Sequence, residues 1–363
     1  MLNTPIYLYG ESLMISSHND WDPLEEIIVG TADHAVLPTM NKSVQSFSYA
    51  EYSLEELKNL QGPHDQQIID ECNEDLEILS STLTGLGVKV HRPNSIDHSK
   101  EFSSPDWKTT GWYTFCPRDL LLPLDNLIIE TPSPMRARQY ETRAYYDYLY
   151  QQVEEGVEWI NGPTPILLDS LYQTENLKIP TTLNHEIVFE APNIVRLGKD
   201  LLYQVSNSGT LWGYKWLKSI LEKRGYNLHL AEGFYFFAHF DSTVIPLRPG
   251  LVAFNTARLS PDHYPQIFKD WDKIWVTPEM MVQVPANLPG GIPPCSPWIG
   301  MNMLSVSPEL VIIDENQDEM RRVLAKHGID TIGLPCRQAR TMSGGFHCQT
   351  LDVKRKGSLE SYF

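Results

Sequence analysis

Residues 194–231 read IVRLGKDLLYQVSNSGTLWGYKWLKSILEKRGYNLHLA, and their pattern decides the fold. Residues 194–198 and 200–206 are two short, mostly apolar runs, the signature of adjoining strands. Residues 210–225 then read as a helix, and 227–231 as a further strand. The unit is strand, strand, helix, strand.

The same order recurs along the chain. Residues 119–124 and 126–131 predict two strands around a turn. A helix over 135–156 follows, with Tyr145, Leu149 and Val153 at i, i+4 and i+8 and a glycine at its end. Residues 165–169 supply the next strand. After Asp241, residues 242–247 and 250–255 pair around Arg248-Pro249, followed by a short helix over 262–269 and a strand over 273–277. Another unit spans 303–306, 309–314, a helix over 315–328, and 331–334. The ends of the chain supply the fifth: residues 346–354 from one terminus, 26–30 from the other, a helix over 65–85 and a strand over 88–92. That helix carries Ile69, Cys72, Leu76, Leu79 and Leu83 at helical spacing. Five α/β units of one kind, each needing a neighbour to cover its apolar face, predict a closed ring over a single domain, residues 1–363. An ordinary α/β sandwich is the competing reading.

Composition narrows the function. Hydrophobic residues make up 42% of the 363 and charged residues 21%, ordinary globular usage that excludes disordered and fibrous classes. No apolar run reaches the roughly 18 residues a membrane helix needs. The formal net charge is -17, which repels phosphate backbones and attracts small cations, so nucleic acid is not expected as a partner. Five widely spaced cysteines (Cys72, Cys116, Cys295, Cys336, Cys348) form neither a disulfide framework nor a zinc motif. They suit a reducing, cytoplasmic compartment. The first twenty residues lack a basic start, a long apolar stretch and any arginine, unlike a signal or mitochondrial presequence. Residues 285–297 hold five prolines and read as loop.

Reactive residues cluster where each unit begins. Cys116-Pro117-Arg118-Asp119 opens the first, Phe189-Glu190-Ala191-Pro192-Asn193 the second and His239-Phe240-Asp241 the third. Cys295-Ser296-Pro297-Trp298 precedes the fourth, and Ser343-Gly344-Gly345-Phe346-His347-Cys348 lies in the last. In a ring, equivalent places converge on the axis, so Asp119, Glu190, His239, Asp241 and Cys348 are expected in one pocket. Each alone has a bland reading: a turn aspartate, a solvated glutamate, a surface His-x-Asp pair, a small buried cysteine. On strands, His239 and Asp241 point the same way, whereas adjacent His347 and Cys348 point apart and make no dyad.

The run from Ser343 to Cys348, with Thr350-Leu351-Asp352-Val353-Lys354-Arg355-Lys356-Gly357-Ser358-Leu359-Glu360-Ser361-Tyr362 behind it, strongly resembles the C-terminus of the arginine-dependent amidinotransferases. Pro117-Arg118-Asp119 with Ile128-Ile129-Glu130-Thr131-Pro132 resembles that family's first acidic motif, and residues 21–30 its opening strand. The likeness covers nearly the whole chain. It is nearest to the inosamine-phosphate and arginine:lysine branch of antibiotic and toxin pathways, and more distant from glycine amidinotransferase. It implies the pentein α/β-propeller, a fivefold ring of ββαβ units around a central active-site channel.

Carried over by motif, Cys348 would be the nucleophile, His239 the acid and base, and Asp119 and Asp241 the grip on the guanidinium. Glu190 stands where the amidinotransferases usually have an aspartate that orients the histidine; related hydrolases carry glutamate there. Arg258 matches an anchor for the substrate carboxylate and Ser296 a second anchor. Cys295 replaces a first serine of glycine amidinotransferase. Phe236 and Ala238 stand where that enzyme has Asn and Met, which implies an acceptor other than glycine. L-Arginine and a primary amine would be the small-molecule partners, with no metal and no redox cofactor; a homodimer is compatible with this. Two other readings compete: a guanidine hydrolase of the same fold, suggested by Glu190, and a binder of arginine-like ligands without catalysis.

Overall fold

The computed structural model describes residues 15–288 and 291–363. Most of the N-terminal stretch read above as carrying no presequence therefore lies outside the described residues.

Five three-stranded sheets share one topology, in which a central strand pairs antiparallel with one neighbour and parallel with the other. The first is Thr350–Arg355, Leu24–Val29 and Lys89–His91, so strands from the two ends of the chain do pair, Ile28 opposite Leu351. The second is Leu121–Leu124, Leu127–Glu130 and Glu158–Asn161. The third is Ile194–Leu197, Asp200–Gln204 and Asn227–Ala231. The fourth is Val244–Arg248, Leu251–Asn255 and Asp272–Val276, and the fifth Leu304–Ser307, Leu310–Asp314 and Asp330–Leu334. Parallel pairing needs a crossover. Helices Gln66–Gly85, Tyr146–Glu154, Leu211–Leu221 and Asp318–Lys326 supply it in four sheets.

Neighbouring sheets bury apolar faces against each other. The first meets the second through Ile28 and Leu351 against Leu121 and Ile128. The second meets the third through Leu122 and Ile129 against Ile194 and Leu201. Val195 and Leu202 of the third share a core with Val252 and Phe254 of the fourth. Leu251 and Ala253 share one with Val311 and Ile313 of the fifth. Leu304 and Ile312 of the fifth pack with Ile27 and Val29 of the first. Polar bonds reinforce these contacts at Asp352, buried on the last strand. It accepts from Arg355, from Arg118 ahead of the second sheet (2.7 Å) and from Arg196 of the third (2.7 and 2.8 Å).

Three sequence expectations are corrected. The strand placed at 165–169 is absent; Glu158–Asn161 occupies that position in the second sheet. Pro163 and Pro165 remove backbone donors, and Leu167 adopts a left-handed conformation (φ 59°), which no strand residue does. The helix over 262–269 is only a 3-10 turn, Gln266–Phe268, because Pro265 holds the chain extended at its start. Helix 135–156 is broken into two 3-10 turns and Tyr146–Glu154, leaving Val153 45% exposed while Tyr145 and Leu149 are buried.

Helix Gln66–Gly85 begins at Asp65, whose side chain accepts from the Gln67 amide. Its buried stripe, Ile69, Cys72, Leu76, Leu79 and Leu83, belongs to the same core as Cys116 and Cys348. Leu79→Ala should therefore destabilise the protein by about 2–5 kcal/mol through the cavity it leaves. A urea midpoint indistinguishable from that of the unaltered protein would contradict this packing.

Candidate active site

Each candidate residue stands just ahead of a sheet. Asp119 ends the 3-10 turn Pro117–Asp119, two residues before Leu121. Glu190 precedes the turn Ala191–Asn193 that leads into Ile194. His239 and Asp241 lie in the loop before Val244, and Cys348 two residues before Thr350. The backbone at 239–241 and 346–349 is turn rather than strand, so strand alternation is not what orients these side chains. His347 and Cys348 nonetheless make no dyad: the imidazole turns to Asp241, with Nδ1 2.8 Å from Oδ2.

All five candidates meet. The Cys348 thiol lies 3.3 Å from Asp241 Oδ2. Its sulfur, a ring nitrogen of His239 and a carboxylate oxygen of Asp119 lie within 4.8 Å of one another. These are the one grouping among the described residues close enough to hold a metal ion, although Arg138 already binds an oxygen of Asp119. His239 Nε2 sits 2.6 Å from Glu190 Oε2, while Ser133 donates to Glu190 Oε1 at 2.5 Å. Asp119 Oδ1 is buried and has no hydrogen-bond partner, an acceptor facing an open site.

Two essential supports escaped the sequence reading. Arg138, fully buried, donates to Asp119 Oδ2 at 2.7 Å, to Glu190 at 3.3 and 3.4 Å and to Glu141 at 2.7 and 2.9 Å. Its guanidinium lies over Trp112 and Tyr113. Asn302 donates to Asp241 Oδ2 at 2.8 Å and accepts from the Cys348 amide at 2.9 Å. It stands two residues before Leu304, as Asp119 and Cys348 stand before their strands, a positional signal legible in the sequence. Arg138 had no such signal.

The electrostatics follow from burial. Asp241 is desolvated, yet hydrogen bonds from His347 and Asn302 and the nearby imidazoles hold its carboxyl well below the usual range. Burial works against a charge on His239, but Asp119, the thiol and Glu190 overcome it, and its imidazole binds its proton well above the ordinary histidine range. The hydrogen bond with Cys116, burial and the Asp241 charge push the Cys348 thiol well up. Both shifts favour a neutral thiol beside an imidazolium.

The substrate-contact candidates divide. Arg258, Ser296, Cys295 and Ala238 line the cleft that opens on Cys348. Arg258 donates to Thr243 Oγ1 (2.7 Å) and Ser242 Oγ (2.9 Å), its face lying 3.9 Å above the Tyr235 ring. Burial raises the Cys295 thiol to about 11. Phe236 is not part of this inner lining; it faces an outer vestibule.

A deeply set thiol between carboxylates, beside a carboxylate-bound histidine, is an arrangement capable of nucleophilic attack on a small cation. No family model matches the chain. Individual proteins do. An inosamine-phosphate amidinotransferase of Streptomyces glaucescens is 44% identical over 96% of this chain and 99% of its own length. The solved inosamine-phosphate amidinotransferase of Streptomyces griseus is 42% identical, with a TM-score of 0.91 over 97% of this chain and 99% of that one. An amidinotransferase of the saxitoxin pathway of Microseira wollei is 31% identical, with a TM-score of 0.85 over 96% and 99%. Dimethylarginine dimethylaminohydrolase of Pseudomonas aeruginosa, 15% identical, shares the fold alone (TM-score 0.58 over 91% and 99%). The chain belongs to the amidinotransferase family and is a transferase.

Because Cys116, burial and Asp241 favour the neutral thiol, alkylation of Cys348 by iodoacetamide in the free protein should accelerate with pH. Its inflection should lie above the ~8.5 of an ordinary cysteine. Peptide mass mapping resolves Cys348 from the other cysteines; an inflection at or below the ordinary value would contradict the charge pattern.

Proposed function

We propose that this protein is an L-arginine-dependent amidinotransferase that moves the amidino group to a primary amine in antibiotic or toxin biosynthesis. The observation that carries the reading is the position of the Cys348 sulfur, 3.3 Å from Asp241 and within 4.8 Å of both His239 and Asp119.

A guanidinium is flat, cationic and unreactive because its charge is delocalised. Asp119, through its free Oδ1, and Asp241 accept its N–H groups and hold its central carbon against the thiol. Arrival of that cation favours the thiolate, since it offsets the carboxylates that hold the sulfur neutral; the thiol releases its proton to water as the cation binds, and His239 keeps its own. Sulfur attacks the carbon. The bond to the substrate's side-chain nitrogen breaks as His239 donates a proton, and ornithine leaves. The acceptor amine then attacks the amidino carbon, the C–S bond breaks, and His239 takes the amine's proton. Arg258 anchors the arginine carboxylate, with Ser296 and Cys295 beside it. This ping-pong chemistry calls for neither a metal nor a redox cofactor.

We read the five sheets as one domain over 1–363, closed as a fivefold propeller. The apolar contact of the fifth sheet with the first supports this. Five free cysteines suit a cytoplasmic enzyme. No helix among the described residues is long and apolar enough to cross a membrane.

Glu190 suggests a second reading, hydrolysis: either ammonia leaves the Cys348 adduct and water then releases citrulline, or ornithine leaves and water releases the amidino group as urea. Arginine with candidate amines distinguishes the two: ornithine formed in step with a guanidino product supports transfer, and citrulline or urea formed without any amine supports hydrolysis. Cys348→Ser should abolish the covalent adduct seen by mass spectrometry and lower turnover by a factor on the order of 1,000 or more. Arg258→Ala should raise the KM for arginine more than it lowers kcat; the reverse pattern would mean Arg258 does not hold the carboxylate.

A further inference from the structure

The inner cleft does not end at Arg258. Tyr235, Phe237, Arg258, Cys295 and Ser296 line it and also line a second, outer space of about 620 Å³. The outer walls are aromatic and apolar: Tyr49, Tyr52, Phe234, Phe236 and Trp298 join Phe237 there. Phe237 is 38% exposed and stacks on Tyr235, with ring centroids 6.2 Å apart and planes at 24°. Wetted aromatic surface at the mouth of a reactive site is unfavourable unless something covers it in the working cycle.

Charge narrows what that can be. Among the described residues lining the outer space, Arg258 is the one cation and Glu51 the one carboxylate. Arg258 already donates to Ser242 and Thr243 and stacks on Tyr235. A phosphate or carboxylate carried on the acceptor beyond Arg258 would find no further cation along the aromatic walls, and losing its water would cost more than those walls return.

We infer that the acceptor is a primary amine borne on an apolar chain or aromatic ring, without phosphate or carboxylate, whose body lies in the aromatic vestibule. This rests on the transferase reading given above. In a ping-pong cycle ornithine leaves by the cleft and the acceptor enters by it. The amine must reach the amidino carbon on Cys348, so the rest of the molecule trails past Arg258 between Phe237 and Trp298. At Cys348 the nitrogen–carbon bond forms as the carbon–sulfur bond breaks, the amine proton passing to His239 and the electron pair to sulfur. The occupant differs from the inosamine phosphate in the names of relatives at 42–44% identity.

The test uses the full chain. Exchange of labelled ornithine into arginine needs no acceptor and reports the first half-reaction alone. Guanidino product is then measured with propylamine, hexylamine, octylamine, tyramine, glycine, lysine and an aminocyclitol phosphate. The kcat/KM should rise along the alkyl series, up to about fourfold per methylene buried. Hexylamine, octylamine and tyramine should exceed glycine, lysine and the phosphate by tenfold or more. Tyr52→Ala and Trp298→Ala should each raise the KM for octylamine about tenfold while leaving ornithine exchange within twofold. A flat alkyl series, a preference for the phosphate, or variants that slow exchange as much as transfer would overturn the inference. Absence of exchange altogether would instead overturn the transferase reading beneath it.

Discussion

Three carboxylates sharing one guanidinium in a dry core is the constraint on which the site depends. Asp119, Glu190 and Glu141 are each nearly or wholly buried, and Arg138 touches all three. Charges taken out of water are costly, and such a cluster persists only when donors meet the acceptors. Burial still pushes Glu141 up to about 8. Arg138 holds Glu190 below the usual carboxylate range, with help from His239 and Ser133. Asp119, the Cys348 thiol and Glu190 together keep the His239 proton in place against burial. Arg138 thus bears on the imidazole only through the carboxylates beside it, Asp119 and Glu190.

The fold makes such a cluster possible by where it places chain. Residues just ahead of a strand are not yet committed to ladder hydrogen bonds, so their side chains and backbone can turn toward each other. Asp119, Glu190, Asp241, Asn302 and Cys348 all occupy that position in different sheets. The strands behind them are locked by packing between neighbouring sheets, which fixes the positions of otherwise irregular segments. Arg118 extends the same logic: its Nε donates to the His347 carbonyl at 2.6 Å while Nη2 bonds Asp352, tying the turn that carries Cys348 to the buried core.

Much of the fold was legible in the sequence because strand runs and their glycine- or proline-marked turns recur in one order, though at uneven spacing. The unit over 194–231 matched closely, Asn227–Ala231 included, since both faces of its central strand are buried and its runs are mostly apolar. Prolines defeated the reading at 165–169 and 262–269, where composition was apolar enough to mimic an element but donors or backbone angles were wrong. The reactive side chains were legible because unusual residue types recur at one place in the unit. Asn302 shared the place but lacked a reactive type. Arg138 was hidden for a different reason: its partners lie 19 and 52 residues away in sequence for Asp119 and Glu190, and no periodicity links them.

The substitution of glutamate for the family aspartate at 190 also finds a physical account. The longer arm does not crowd His239, because one oxygen takes the imidazole at 2.6 Å and the other is held by Ser133 at 2.5 Å. With both oxygens fixed, glutamate orients the ring as firmly as a shorter carboxylate could. Its presence therefore says little about whether water or an amine completes the reaction. That choice rests with the approach to Cys348. A narrow cleft continuous with an aromatic vestibule favours an occupant that displaces water, and an apolar amine lying there would shield the amidino carbon while presenting its own nitrogen. On this argument transfer wins over hydrolysis through what lines the entrance, not through the residue that holds the histidine.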